Sequence, residues 1–126
     1  MHVDSIDHLV LTVSDIEATC AFYATALGMV PSRFGSDRKA LNFGAQKINL
    51  HALGQEIEPK AFCSVPGSVD LCLITSVPIS EVIQHLNSVG VTVIEGPVER
   101  TGARGQITSV YLRDPDQNLI EVSNYL

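Results

Sequence analysis

The sequence has no C-x-x-C pair, and its three cysteines, Cys20, Cys63 and Cys72, are an odd number. That speaks against a disulfide framework or a zinc ribbon and fits a reducing compartment. There is no basic leader followed by an apolar stretch and no run of 18 apolar residues, so no membrane partner is expected and the chain reads as cytoplasmic. Positive charge is scarce as well: eight Lys plus Arg stand against 14 Asp plus Glu, a net charge of -6. Such a balance repels a phosphate backbone and leaves no basic stripe, which argues against nucleic acid and for small-molecule partners.

What the chain does have is one pattern written twice. Its 126 residues, 45% of them apolar, suffice for one compact domain with a real core. Alternation from Val3 to Val13 predicts a strand. Ser14 offers a helix cap with Glu17 three residues on, and Ile16, Cys20, Tyr23 and Leu27 recur at helical spacing up to Gly28. Three extended segments follow, at about 30–33, 40–43 and 47–53, broken near Gly35 and Gly44. After an aperiodic connection at about 54–67 the order repeats: a strand from Val69, a helix after Pro78 carrying Ile79, Val82, Ile83 and Leu86, and strands at 91–94, 106–113 and 118–123. Asp7–Leu11 falls on Val69–Leu73, an offset of about 62 residues, which marks a duplication rather than a solenoid. The fold class is therefore α+β: two βαβββ modules, module one about 3–53 and module two about 68–126, in a single domain spanning 1–126.

In a unit with one helix, that helix covers one sheet face and leaves the other open. The aliphatic side of the first strand, Leu9, Leu11 and Val13, belongs under the helix, so His8 lies on the open side. By the same alternation Asn49 and His51 share the open face of the first module, and Asp70 and Glu121 that of the second. Imidazoles and carboxylates gathered on such faces are paired, solvated or bound to metal. Two His and one carboxylate with open positions suit Fe, Mn, Ni, Co or Zn as a divalent ion. His85 and His2 read as a helix-surface and a terminal residue, Cys72 as a small core residue on the open side, and Asp114-Pro115-Asp116 as a hairpin turn. Arg38, Lys39, Arg100 and Arg104 lie in or near loops, where guanidinium recognises carboxylates. Arg104 sits in Thr101–Gly105, a short loop suited to folding over a ligand.

The run Ile6–Val13, the pair Phe22-Tyr23 leading to Leu27-Gly28-Met29, and the stretch Leu112–Val122 together resemble the vicinal oxygen chelate superfamily, which includes glyoxalase I, extradiol dioxygenases and bleomycin-resistance-type proteins. Within it, Arg38–Leu41, Gln46–His51 and Glu95–Val98 are similar to the glyoxalase-domain-containing protein 5 and virulence-protein group. The resemblance implies paired modules around a U-shaped cleft, a divalent metal, substrates that chelate it through neighbouring oxygens, and a homodimer. By position His8 and Glu121 match family ligands. Asp70 stands where many members have His, and Asn49 is the counterpart of Glu121. His51 or Asp70 completes the set, with His51 preferred because imidazole suits these metals. The expected metal ligands are thus His8, His51 and Glu121, with Asn49, Asp70 and Arg104 toward the substrate and Glu121 as the catalytic proton carrier. The implied activity is a metal-dependent glyoxalase-type lyase or isomerase acting on a small vicinal-oxygen compound such as a thiol adduct. An Fe(II) extradiol-type dioxygenase and a non-catalytic drug- or metabolite-binding protein are the alternatives.

Overall fold

The computed structural model describes residues 1–126. The chain divides into two compact units, Met1–Ser68 and Val69–Leu126. The first contains β1 (His8–Val13), α1 (Ile16–Leu27), β2 (Val30–Phe34), β3 (Arg38–Phe43) and β4 (Gln46–Ala52); the second contains β5 (Asp70–Ile74), α2 (Ile79–Ser88), β6 (Glu95–Thr101), β7 (Gln106–Arg113) and β8 (Leu119–Tyr125). Each unit is a four-stranded mixed sheet in the order first-fourth-third-second, β1-β4-β3-β2 and β5-β8-β7-β6. Only the first and last strands of each unit run parallel. Parallel neighbours need a crossover, and α1 and α2 begin those crossovers.

In the first unit α1 starts one residue later than the capping pattern suggests. Asp15, not Ser14, is the cap, and its carboxylate accepts the Ala18 N–H at 3.0 Å. A carboxylate at this end also meets the positive pole of the helix. Gly28 ends it at φ 66°, a left-handed conformation that glycine adopts without strain, and the Gly28 and Met29 amides turn back to Ala24 and Tyr23. The buried side, with Thr19, Cys20, Tyr23 and Ala26, belongs to a core shared with Leu11, Val13, Leu41, Ile48 and Leu50. Burying one such large apolar side chain contributes about 2 kcal/mol. Lys39 of β3 adds an ion pair of 3.1 Å to Glu17 of α1, which confirms that odd-numbered positions on β3 face the helix.

The second unit departs from expectation at one strand. The apolar run 91–94 is not a strand; β6 is the polar stretch Glu95–Thr101, paired with β7 alone at the sheet edge. An edge strand has a free side that tolerates Pro97 and does not need an apolar face. Gly96 is required there at φ 107°, because a Cβ would run into the Ser109 carbonyl oxygen. Asn124 of β8 fastens the entry to α2, accepting the Ile79 N–H at 2.9 Å and donating to the Thr75 and Val77 carbonyls at 2.8 and 2.9 Å.

The turn into β8 is held by a buried pair. Asp114 accepts the Asp116 and Asn118 amides at 2.9 and 3.0 Å and the Asn118 side-chain N–H at 2.8 Å, while Asn118 accepts the Val69 N–H at 2.9 Å. One carboxylate thus sets the start of both parallel strands, β5 and β8. Asp114→Ala removes three of these bonds and leaves buried donors unpaired, so it should cost about 2–4 kcal/mol. Urea denaturation measures this as a lower midpoint at unchanged slope. A loss under about 1 kcal/mol would show that the pair behaves as a solvated turn.

Candidate functional site

In the first unit the strand register settles which side chains share the open face. His8 lies opposite Lys47, Val10 opposite Asn49 and Thr12 opposite His51. His8 is at the strand end with its side chain 44% exposed, and its Nδ1 is 2.7 Å from the Asp7 carboxylate. With Nδ1–H donating there, Nε2 becomes the basic nitrogen, the arrangement a metal-ligating histidine uses. Asn49 and His51 are only 4% and 6% exposed, and Asn49 Oδ1 and His51 Nε2 have no hydrogen-bond partner. Each buried orphan costs about 1–3 kcal/mol, so both atoms await something the fold does not supply. Burial pushes the His51 imidazole below its ordinary value; the Arg38 guanidinium pushes the same way and the Glu56 carboxylate opposes it. His51 is therefore neutral near pH 7.

The register also separates the two imidazoles that the sequence pattern assigns to one ion. His8 and His51 are four residues apart along paired strands. At about 3.3 Å per residue that is roughly 13 Å, against metal–nitrogen bonds of about 2 Å. Side chains standing on the sheet at that spacing do not share a cation, and the guanidinium charge felt by His51 opposes one too. The open-face donor diagonal to His8 is instead Asn49, two residues beyond the His8 partner.

In the second unit Asp70 lies opposite Leu119 and Cys72 opposite Glu121, so Asp70 and Glu121 stand in the same diagonal relation as His8 and Asn49. Glu121 is half-buried. Its Oε2 accepts the Ser109 hydroxyl at 2.5 Å and lies 3.3 Å from that of Ser123. The two serine oxygens are 2.7 Å apart, and Cys72 Sγ is 3.4 Å from Ser123 Oγ. Each hydroxyl has one proton, which orders the chain: Cys72 donates to Ser123, Ser123 to Ser109, and Ser109 to the carboxylate.

Glu121 and Cys72 line a pocket of about 420 Å³, together with Ile74, Arg100, Tyr111 and Tyr125. Arg100 Nε donates to the Tyr111 hydroxyl at 3.1 Å, and the guanidinium is 3.7 Å from Glu95. Enclosure raises the Tyr111 phenol, with Arg100 opposing, so it stays protonated. Partial enclosure likewise raises the Cys72 thiol. Cys72 is no core residue: it is exposed and faces the pocket. Arg104 stacks on the Tyr125 ring at 4.4 Å, and its backbone N–H donates to the Tyr125 hydroxyl at 3.1 Å. Its neighbours Gly102 and Ala103 line the pocket, and Arg104 itself does not.

No three His, Cys, Asp or Glu side chains gather around one point. By type, each unit offers donors that a divalent ion accepts: in the first an imidazole whose other nitrogen is tied to a carboxylate and an amide oxygen buried without a partner, in the second two carboxylates. Ser109 and Tyr111 escape a reading of sequence because their importance depends on β7 lying beside β8, which alternation within β7 does not reveal.

The family model for the Glyoxalase/Bleomycin resistance protein/Dioxygenase superfamily matches residues 5–122. Among curated proteins, virulence protein STM3117 of Salmonella typhimurium is 58% identical over 126 residues, all of this chain and 88% of that protein. Glyoxalase domain-containing protein RDO1 of Mycosarcoma maydis is 54% identical over 125 residues, 99% of this chain and 70% of that protein. The crystal structure of virulence protein STM3117 superposes with a TM-score of 0.99, covering all of both chains. A family model spanning nearly the whole chain, and relatives of this identity, place the protein in the Glyoxalase/Bleomycin resistance protein/Dioxygenase superfamily.

Proposed function

We propose that the protein is a metal-dependent lyase or isomerase of glyoxalase type, acting on a small compound with oxygens on neighbouring carbons. The observation that carries this reading is Glu121: a carboxylate in a pocket wall, with one oxygen fixed by Ser109. Isomerisation next to a carbonyl needs a base that removes a proton from one carbon and returns it to the next. Ser109, itself bonded by Ser123, holds Oε2, which orients Oε1 as the oxygen that carries that proton. Tyr111, kept protonated, is a donor for a substrate oxygen, and Arg100 fixes the phenol in place. Ile74 and Ile107 add apolar walls to the pocket beside the carboxylate.

Members of this superfamily often use divalent metals. The residues of this chain suited to holding one are, in the first unit, His8 and Asn49, and, taken separately, in the second unit Asp70 and Glu121. A bound ion supplies Lewis-acid polarisation of the substrate oxygens. The dioxygenase alternative needs two histidines and a carboxylate on one Fe(II), and the separation of His8 from His51 disfavours it.

Elemental analysis of protein purified without chelators should find a stoichiometric divalent ion that is lost in both His8→Ala and Glu121→Gln. Retention in both variants would remove the metal from this reading. With the hemithioacetal of a 2-oxoaldehyde as substrate, Glu121→Gln should lower kcat by about 10²–10⁴-fold at little changed KM. Ser109→Ala, which leaves the carboxylate in place and takes its charge-assisted hydrogen bond, should cost about tenfold. Oxygen consumption under turnover, or a Glu121→Gln variant as active as the parent, would reject the isomerase.

A further inference from the structure

The pocket around Glu121 contains a cation whose donors the proton transfer leaves free. Arg100 of β6 pairs with Ile107 of β7, yet its Nε reaches the hydroxyl of Tyr111, further along β7, at 3.1 Å. Two long side chains lean toward each other to make that contact, which brings the guanidinium toward the row where Tyr111 stands opposite Glu121. Arg100, Tyr111 and Glu121 all line the one pocket of about 420 Å³.

Only part of the guanidinium is engaged. Nε is tied to Tyr111, and Nη1 donates to the Glu99 carbonyl at 3.1 Å. Nη2 donates to no protein atom; the Glu95 carboxylate is 3.7 Å from it, outside hydrogen-bond reach, and its side chain is more than half exposed. Each terminal nitrogen has two N–H groups, so both keep a donor with no acceptor. With the Nε side fixed, the free edge is the one that takes the two oxygens of a carboxylate in parallel. Tyr111 links this edge to the base. Enclosure raises its phenol most, the Arg100 hydrogen bond lowers it and the Glu121 carboxylate raises it again, so cation and base act on the same hydroxyl.

We propose that the substrate of this pocket is a small oxo acid whose own carboxylate is held by Arg100, beside the oxygen that Tyr111 binds and the carbon that Glu121 deprotonates. The order base, phenol, guanidinium matches the order carbon acid, carbonyl oxygen, carboxylate in a short hydroxy-oxo acid. The reaction moves a carbonyl between adjacent carbons. Glu121 takes the proton from the hydroxyl-bearing carbon, and the electron pair left behind forms the double bond of an enediolate. The proton returns to the neighbouring carbon while a hydroxyl proton passes from one oxygen to the other, so nothing is oxidised or reduced overall. Glu95 competes for the guanidinium and is displaced by the incoming carboxylate. The reaction rests on the isomerase reading above; the carboxylate site on Arg100 is tested by binding alone.

Calorimetric titration of the full chain with pyruvate and with pyruvamide makes that test, because the two differ only in a carboxylate against a neutral amide beside the same carbonyl. Saturable pyruvate binding is expected, at least about tenfold tighter than pyruvamide. Arg100→Gln should weaken pyruvate at least about tenfold and leave pyruvamide within about twofold, with Arg100→Lys, which keeps the charge and loses the planar fork, in between. Glu95→Gln, which frees the guanidinium, should tighten pyruvate. If Arg100 only braces Tyr111, Arg100→Gln weakens both ligands alike and Glu95→Gln leaves pyruvate unmoved; either result overturns the proposal, as does pyruvamide binding as tightly as pyruvate or no saturable pyruvate binding. Circular dichroism of the variants separates lost binding from lost fold. Kinetics keeps the two readings apart. Arg100-dependent pyruvate binding with no isomerisation of hydroxypyruvate upholds the carboxylate site and rejects the isomerase. Turnover of a neutral hemithioacetal undiminished in Arg100→Gln, with hydroxypyruvate inert, upholds the isomerase and overturns the oxo-acid substrate.

Discussion

In each unit the first strand lies parallel to the last, and everything this chain offers to a ligand depends on that pairing. A parallel pair at one side of a four-stranded sheet puts side chains from the two ends of the unit on one face, two residues apart in register. In the first unit those side chains are His8 and Asn49; in the second they are Asp70 and Glu121. Slipping either register by one residue would turn the donors under the helix and their aliphatic neighbours outward. The core beneath prevents the slip: Leu11, Val13, Ile48 and Leu50 in one unit, and Leu112, Ile120 and Val122 in the other, are buried.

The two units set different polar groups on the same scaffold. Glu121 accepts a hydrogen bond from Ser109, which is in turn bonded to Ser123, and both serines are buried. Its counterpart Asn49 is neutral and unsatisfied, and the position two residues further along is His51 where the second unit has Ser123. A serine can turn its single proton toward a carboxylate, as Ser123 does through Ser109. The His51 imidazole beside Arg38 has no hydrogen-bonded carboxylate at Nε2, and Glu56 acts on it only through its field. The change of polar type at equivalent places therefore leaves a hydrogen-bonded carboxylate in the second unit and an unsatisfied amide and imidazole in the first.

Much of this was legible from residue order. The two βαβββ units follow from the alternation at 3–13, the helical stripes ending at Gly28 and Gly90, and the repeat of about 62 residues. Alternation also assigned His8, Asn49, His51, Asp70 and Glu121 to open faces, and the ladders agree. What escaped has a physical reason in each case. The cap moved from Ser14 to Asp15 because both residues are good caps and only the chain's exit from β1 chooses between them. β6 was missed because an edge strand has no face to bury, so Glu95–Thr101 has no apolar period while the apolar 91–94 run draws attention instead. His51 read as a partner of His8 because both face the same way, and facing is a property of period two that contains no distance along the strand.

That last distinction bears on how donor sets are inferred in duplicated folds. Face membership follows from one strand, whereas proximity needs the register between two, and here the register separates two histidines that sequence alone would join. It also leaves His51 with a buried nitrogen that lacks a hydrogen-bond partner, next to Arg38 of the neighbouring strand. Buried donors without acceptors are rare in folded chains because each one lowers stability. His51 Nε2 is one such orphan, which the register sets beside Arg38 and apart from His8.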